Sequence, residues 1–371
     1  MRILHVYKDF YPPVFGGMER YIGLLCRFQR QWAQVEALVC SRTPHTRTIE
    51  RDGTRVTEVA EFGRLQSAPL SPAFPRYIRR LAGDVTVVHM PNPTAEMSWL
   101  VARVRAPLVV RYHSDVVRQA AAMRIYRPFQ MTFLRQAAMI LPTSQPYLDT
   151  SPTLAPLRDR CRVVPLGILP EEFDSFDPAR VAALRAAYGG DYVLFSGMHR
   201  YYKGLPNLVA AAHMINARVV IAGDGPERAA LMQRAQTLGV DVVFPGALSH
   251  AELVAHLRGC AVFAFPSVAR SEAFGLSILE AHACGKPVVA TRLGTGVEFA
   301  NLDGETGLNV PAGEPAALAE AVNALLADPE RREAMGAFAQ ARVRREFTAE
   351  TAAHAEFELY REALRCSATP T

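Results

Sequence analysis

The sequence predicts an α/β protein made of two parallel-sheet domains. Three observations carry that expectation. Short β-branched runs alternate with helical-period segments along the chain. The alternation restarts midway. And 371 residues exceed one typical domain of about 100–200 residues.

In the first half, the strand patterns are RILHVY (2–7), DVTVVHM (84–90), PLVVRYH (107–113) and AMILPTS (138–144). Amphipathic segments at 17–33 and 116–137 separate them. In the second half they are YVLFSG (192–197), RVVIAG (218–223), DVVFPG (241–246), AVFAFPS (261–267), KPVVAT (286–291) and GLNVP (307–311). Helical patterns lie between them, and after Pro311 the chain reads helical to about residue 365. Strands that are apolar throughout and alternate with helices belong to parallel sheets covered on both faces. The polar stretch with Asp177, Pro178, Gly189 and Gly190 puts a linker near 168–190. The expected layout is an N-terminal Rossmann-like domain over 1–172, a C-terminal one over 173–350, and a helix over 351–371 that packs on the first.

Composition narrows the function. The chain is 50% apolar and 21% charged, ordinary values for a globular protein. The Met1 start lacks an export-signal pattern, and no apolar run reaches the roughly 18–20 residues of a membrane span, so a cytoplasmic enzyme is expected. Six scattered cysteines without a CxxC pair suit burial as small apolar residues. The net charge of +5 is uneven: residues 1–170 hold 23 Lys and Arg against 12 Asp and Glu, and the remainder 18 against 24. A basic first half seeks an anionic partner, unless it is merely solvated surface. Only Lys8, Lys203 and Lys286 are lysines, so each hints at a need for a compact point charge.

In parallel sheets, ligands sit beyond the carboxyl ends of the strands, so the residues just after each strand are read for chemistry. In RSEAFGLSILEAHACGKPVVAT (270–291), a polar loop precedes a helix starting near Phe274 and Gly275. A helix N-terminus offers unpaired N–H groups to a phosphate, and Gly275 lets backbone approach it. Glu280, about two turns in, can accept from vicinal ribose hydroxyls, and Glu272 can reach a sugar. A dipole partner and a solvated helix residue are the alternative for this pair. In FSGMHRYYKGL (195–205), Gly197 frees the turn and Arg200 and Lys203 place two cations where leaving-group charge develops on a phosphate. In KDFYPPVFGGMER (8–20), Gly16-Gly17 can set backbone N–H groups against a diphosphate, or form an ordinary turn. In RYHSD (111–115), His113 ends a strand, as a cleft residue or as a histidine satisfied within the fold. Asp-x-Asp, HExxH, GxxxxGK[ST] and GxGxxG are absent, which argues against a metal-held donor and against nicotinamide.

Taken together and in this order, these elements resemble family 4 of the retaining GT-B glycosyltransferases. The resemblance rests on Gly16-Gly17 in YPPVFGGME, His113, the G-x5-KG element at 197–204, IAGDGPE (221–227), the E-x7-E element of Glu272 and Glu280, and GTGVEFANLDGETGLNVPAGEP (294–315). It implies two Rossmann-like domains facing across a cleft, a nucleotide-sugar donor on the second, an acceptor on the first, and no metal. It implies that Glu280 binds ribose and that Arg200 and Lys203 stabilise the departing diphosphate. Glu272, with backbone at Phe274, Gly275 and Leu276, holds donor sugar and phosphate, and Leu248 joins the donor-binding set. His113 contacts the sugar from across the cleft. Many family members carry Arg right after the first glycine of the KG element, where this chain has Met198; Arg200 is the substitute. RYYKG with HSDVVRQ is similar to enzymes of lipopolysaccharide and exopolysaccharide synthesis, which favours GDP-mannose, with UDP-sugars next. The alternatives are a sugar-nucleotide 2-epimerase and a non-catalytic nucleotide-sugar-binding protein. No nucleic-acid-binding motif is found. Segment 116–137, with Arg118, Arg124, Arg127 and Arg135 among apolar residues, is expected to dock with Arg76, Arg79 and Arg80 on the inner face of an anionic membrane, Pro128 breaking or bending it.

Overall fold

The computed structural model describes residues 1–11, 16–65, 68–115 and 120–368. The chain divides into two units. One combines Met1–Gly167 with the segment from Ala349 onward, and the other is Ile168–Thr348.

In the first unit the elements run β1 (Arg2–Val6), α1 (Gly17–Gln29), β2 (Gln34–Cys40), β3 (Arg47–Arg51), β4 (Thr54–Val59), β5 (Arg64–Leu65), β6 (Ala68–Pro69), α2 (Phe74–Leu81), β7 (Val85–Met90), α3 (Pro93–Ala102), β8 (Leu108–Tyr112), α4 (Ala120–Arg135), β9 (Met139–Pro142) and α5 (Gln145–Thr150). The main sheet has the order β3-β4-β2-β1-β7-β8-β9. Its strands are parallel except for the antiparallel β3–β4 pair. Ile3, Val35, Ala37, Val85, Val87 and Val109 build the core under α1 through Ile22 and Cys26.

The second unit contains α6 (Pro178–Ala187), β10 (Tyr192–Ser196), α7 (Leu205–Ala211), β11 (Arg218–Ala222), α8 (Arg228–Leu238), β12 (Val242–Gly246), α9 (His250–Gly259), β13 (Val262–Phe265), α10 (Leu276–Ala283), β14 (Val288–Arg292), α11 (Gly296–Ala300), β15 (Gly307–Pro311), α12 (Pro315–Ala327) and α13 (Pro329–Glu346). Its sheet is wholly parallel, in the order β12-β11-β10-β13-β14-β15. Numbered within the unit, that order is 3-2-1-4-5-6, the doubly wound Rossmann arrangement. Val193, Phe195, Val219, Ile221, Val262 and Val289 pack against Leu205, Leu208, Leu318 and Val322.

The division falls between Gly167 and Ile168, ahead of the expected 172/173. The Ile168 N–H donates to Phe347 O at 2.9 Å, and Ile168 bridges Thr348. Phe173 is buried, its ring meets His250, and its carbonyl accepts from Arg258. Residues 168–172 therefore belong to the second unit. Pro128 does not break α4, which runs on through it. Arg124 and Pro128 are exposed, so water can serve the carbonyl that Pro128 cannot reach. Residues 116–119, with Arg118, lie outside the described residues. Among the described residues, no helix is long and apolar enough to cross a membrane.

The final helix, α14 (Ala349–Ala368), returns to the first unit and lies along α1. Its Glu356 is fully buried and sits 2.9 Å from the Nε of Arg111, itself fully buried on β8. Tyr21 and Tyr360 donate to the same carboxylate at 2.8 and 2.5 Å. Arg111 also donates to Leu141 O at 2.9 Å. Burial opposes the guanidinium charge, yet Glu356 outweighs it and raises the pKa of Arg111. Removing one member of such a pair strands the other charge without solvent. Glu356→Ala is expected to cost roughly 3–5 kcal/mol, read as a lowered urea midpoint, with loss of the α1–α14 contact.

Candidate functional site

In the second unit β10 and β13 are neighbours, and their connections leave in opposite directions. The loops at their carboxyl ends rise side by side with no helix between them. The sequence-predicted residues of this unit hang mainly from those two loops.

After β10, Gly197 donates to Ala222 O at 3.2 Å and His199 N–H to Asp224 O at 2.8 Å, tying this loop to the one after β11. A 3-10 turn over Tyr201–Lys203 follows, closed by Gly204 at φ 64°. A Cβ on Gly204 would lie 1.9 Å from Pro266 O, so only glycine lets this loop approach the β13 loop so closely. That approach delivers Lys203. Its Nζ lies 2.5 Å from Glu272 Oε2 and 4.9 Å from the centre of the Phe265 ring. Burial works to lower the pKa of Lys203, but the Glu272 carboxylate, with Tyr202 and Glu280 in support, raises it. The ammonium stays charged in a nearly dry place.

Glu272 is held by its own surroundings. Ser267 Oγ donates to its Oε2 at 3.1 Å, and Thr295 Oγ1 donates to its carbonyl at 3.0 Å. Thr291 Oγ1 donates to Ser267 O. Arg270 Nη1 donates to Gly294 O at 2.9 Å, and Gly296 N–H to Ala273 O at 2.8 Å. Thr295 caps α11 in a capping box with Glu298. The loops after β13 and β14 thus form one hydrogen-bonded block.

Gly275, at φ 87°, is the N-cap of α10, and no side chain caps that end. Its missing Cβ leaves room for Ile278 and Phe265, at 2.9 and 3.0 Å from the Cβ position. The helix starts at Leu276, so Glu280 stands just over one turn in, closer to the loop than the two turns the sequence suggested. Glu280 is half-buried and acts on the Lys203 charge. Phe274 is buried and packs against Phe299 and Phe347. Leu276 is half-buried in the first turn. Lys203, Glu272, Gly275 and Glu280 therefore share one place. Arg200 is exposed, with its Nε against Met198 Sδ at 3.0 Å, so the guanidinium lies over the residue that replaces the family's arginine. Leu248 is half-buried in the loop after β12, farther along the sheet edge.

In the first unit, Gly16 precedes α1, and a Cβ there would meet Glu19 Oε2 at 2.0 Å. Burial raises the Glu19 pKa, against its own backbone N–H and Lys8. A carboxyl group thus already stands at this helix start, beside Gly16 and Gly17. Residues 12–15 of this loop lie outside the described residues. His113 is buried after β8, and its Nε2 lies 3.0 Å from His89 Nδ1. Its Nδ1 is buried and has no hydrogen-bond partner. Burial, with Arg111 nearby, pushes its pKa well below the ordinary histidine value.

Sequence reading missed Ser267, Thr291 and Thr295, the residues that fix Glu272, and the histidines behind His113. Each of the three hydroxyls stands just beyond or at the end of a strand, which was the available signal. Among the described residues, no group of three or more His, Cys, Asp or Glu is arranged to hold a metal ion.

The arrangement offers a fixed cation, a carboxylate, uncapped helix amides and a second carboxylate one turn away. That set suits a ligand with a phosphate, a polyhydroxylated group and a ribose. Comparison with known proteins agrees with this chemistry. The profile of "Glycosyl transferases group 1" matches residues 181–342, and that of "Glycosyl transferase 4-like domain" matches 16–167. The chain is 36% identical to D-rhamnosyltransferase WbpZ of Pseudomonas aeruginosa, over 94% of this chain and 93% of the relative. It is 34% identical to O-antigen chain mannosyltransferase C of Escherichia coli, over 97% and 98%. Among solved structures, the sucrose-phosphate synthase of Thermosynechococcus elongatus superposes with a TM-score of 0.81 at 22% identity, covering 98% of this chain and 99% of that one.

Gly204→Ala is expected to destabilise the protein by more than ~2 kcal/mol, because a left-handed alanine and a backbone collision coincide. The urea midpoint measures it, and an unchanged midpoint would show that the two loops can separate freely.

Proposed function

The chain belongs to the group 1 glycosyl transferases, and we propose that it moves a hexosyl group, preferentially mannosyl, from a nucleotide diphosphate sugar to a glycan or lipid-linked acceptor with retention at the anomeric carbon. The process is surface polysaccharide synthesis, in keeping with the O-antigen mannosyltransferase and the D-rhamnosyltransferase that it resembles along nearly its whole length. GDP is the preferred carrier and UDP the second.

The observation that carries this reading is the Lys203–Glu272 pair, 2.5 Å apart where the winding reverses, with Glu280 acting on the same ammonium. As a glycosyl–phosphate bond breaks, negative charge gathers on the diphosphate. Donors fixed in advance stabilise that charge without reorganising. Lys203 is such a donor, since Glu272 and the ring of Phe265 hold it in place. The amides at the start of α10 lie beside it and favour phosphate oxygens. Glu280 accepts from ribose hydroxyls, and Glu272 orients the sugar. Arg200, exposed at the surface, screens the departing diphosphate. With these charges supplied by the chain, the transfer needs no divalent ion.

A second reading concerns the acceptor side. On α4, Ile125 and Phe129 are 77% and 48% exposed, beside the exposed Arg124 and Arg127. α4 packs beside α3, and α3 beside α2, whose Arg76, Arg79 and Arg80 are exposed. Phe62 and Leu65, each 67% exposed, belong to the β5–β6 region next to α3. Apolar side chains ringed by arginines suit an anionic membrane surface, at about 1 kcal/mol per well-placed cation. A membrane-bound acceptor follows from that reading.

Two measurements test these proposals. In a thermal-shift panel of GDP, UDP, ADP and their sugar conjugates, the true donor raises the melting temperature by mass action, and Lys203→Ala lowers turnover with it by at least ~100-fold. Unchanged turnover removes Lys203 from the mechanism. For the membrane, vesicles rich in phosphatidylglycerol are expected to carry the protein down on centrifugation at low salt and release it at high salt. Absence of binding at low salt ends that proposal.

A further inference from the structure

Behind His113 runs a file of buried polar side chains that the transfer reaction does not use. His5 lies on β1 and His89 on β7, and these strands and β8 are adjacent in the sheet. His89 Nδ1 lies 3.0 Å from His113 Nε2, and His89 Nε2 lies 3.0 Å from His5 Nδ1. His5 Nε2 lies 2.8 Å from Gln29 Oε1, on α1. The planes of the His89 and His113 rings are nearly parallel, at 7°. All four residues are at most 4% exposed.

The protons in this file can be assigned by counting. The far end is fixed first. Gln29 Nε2 donates to Ala353 O at 3.3 Å, and the Gln29 side chain also hydrogen bonds Tyr360, whose hydroxyl is already spent as a donor to Glu356. Turning the amide over would face oxygen to oxygen at Ala353, so Gln29 presents its carbonyl oxygen to His5. An acceptor there requires a proton on His5 Nε2. A neutral imidazole carries one N–H, so His5 Nδ1 is a bare acceptor and His89 must donate to it from Nε2. The same step repeated gives an Nε2 proton on His113 and a lone pair on His113 Nδ1. Burial lowers the pKa of all three rings, which keeps them neutral. His113 Nδ1 is buried and has no hydrogen-bond partner.

We propose that Gln29, His5 and His89 are positioning residues that lock His113 in the Nε2-protonated tautomer, so that its Nδ1 accepts a hydrogen bond from a sugar hydroxyl. The identity of that hydroxyl as a sugar's rests on the functional reading above; the lock does not. The site accepts an O–H and rejects a phosphate or carbonyl oxygen, because no proton is available at Nδ1. The file is also a poor route for proton removal. A proton taken up at Nδ1 could move inward only as far as His5, where the Gln29 amide ends the path and leaves an imidazolium in the core. His113 therefore orients a substrate rather than serving as the base.

The test reads the tautomers directly, on the full chain. With 15N-labelled histidine, long-range 1H–15N correlation distinguishes a protonated ring nitrogen from a bare one, and the His113→Asn variant identifies the His113 signals. The expected result is a bare Nδ1 and a protonated Nε2 on His113, and the same on His5 and His89. Gln29→Met keeps the bulk but removes the acceptor, so His113 is expected to show averaged, mixed-tautomer shifts. With that variant, kcat/KM for the nucleotide sugar falls about tenfold, the worth of one neutral hydrogen bond, while affinity for the nucleoside diphosphate alone is unchanged. Donor binding moves the His113 Nδ1 signal and the sugar-free nucleotide does not. A protonated Nδ1 in the wild-type chain overturns the lock, with no variant needed. A tautomer indifferent to Gln29→Met in a folded variant overturns the role of Gln29. A bare Nδ1 that ignores a sugar nucleotide seen to bind by thermal shift overturns the hydroxyl contact. If no nucleotide sugar binds at all, the functional reading fails, and the wild-type tautomer still decides the lock.

Discussion

Two adjacent parallel strands whose connections depart in opposite directions leave a space at their carboxyl ends that no covering helix can fill. In the second unit those strands are β10 and β13. Everything at the candidate site depends on that space. It brings the loop carrying Lys203 beside the loop carrying Glu272, although the two are far apart in the chain. It leaves the start of α10 without a side-chain cap. Glycine at 204 then sets how close the two loops come, and so whether the ammonium meets the carboxylate.

The two units bury polar chemistry in different ways. In the second, the charge is a cation that the loop after β10 holds against a carboxylate, itself fixed by hydroxyls at the ends of β13 and β14. Its worth lies in being preorganised, since a surface lysine would have to be ordered each time. In the first, the polar file is neutral: three imidazoles and an amide, each hydrogen-bonded to the next, with His113 Nδ1 left over at the end. Neutral groups cost less to bury than charges provided every donor finds an acceptor. Charge is buried in the first unit as well: the Arg111–Glu356 pair is fully enclosed and shared with two tyrosines.

Much of this was legible in the sequence, for identifiable reasons. Apolar runs with helical segments between them gave both sheets, because parallel strands are covered on both faces. Reading the residues just past each run led to Lys203, Glu272 and His113, because parallel strands send their chemistry to one edge. What escaped depended on pairing. His5 and His89 each look like a single histidine in an apolar strand. Their alignment with His113 follows from the spatial order β1-β7-β8, which local pattern does not encode. Residues 168–172 read as part of the first half, yet Ile168 is claimed by Phe347 and Thr348 from the other end of the second unit. Glu280 seemed deeper in its helix because the cap at Gly275 was read as helix. Ser267 and Thr295 were invisible as functional residues, since their importance lies only in what they hold still.

The path of α14 bears on the order in which the molecule can be made. The second unit is continuous, whereas the first is interrupted and takes its closing helix from beyond the second. During translation, Arg111 emerges from the ribosome long before Glu356. Until then, a guanidinium destined for a dry interior has no carboxylate to meet, and the first unit must either keep that side open to water or await the downstream sequence. Of the two, it is the unit synthesised second that is finished first.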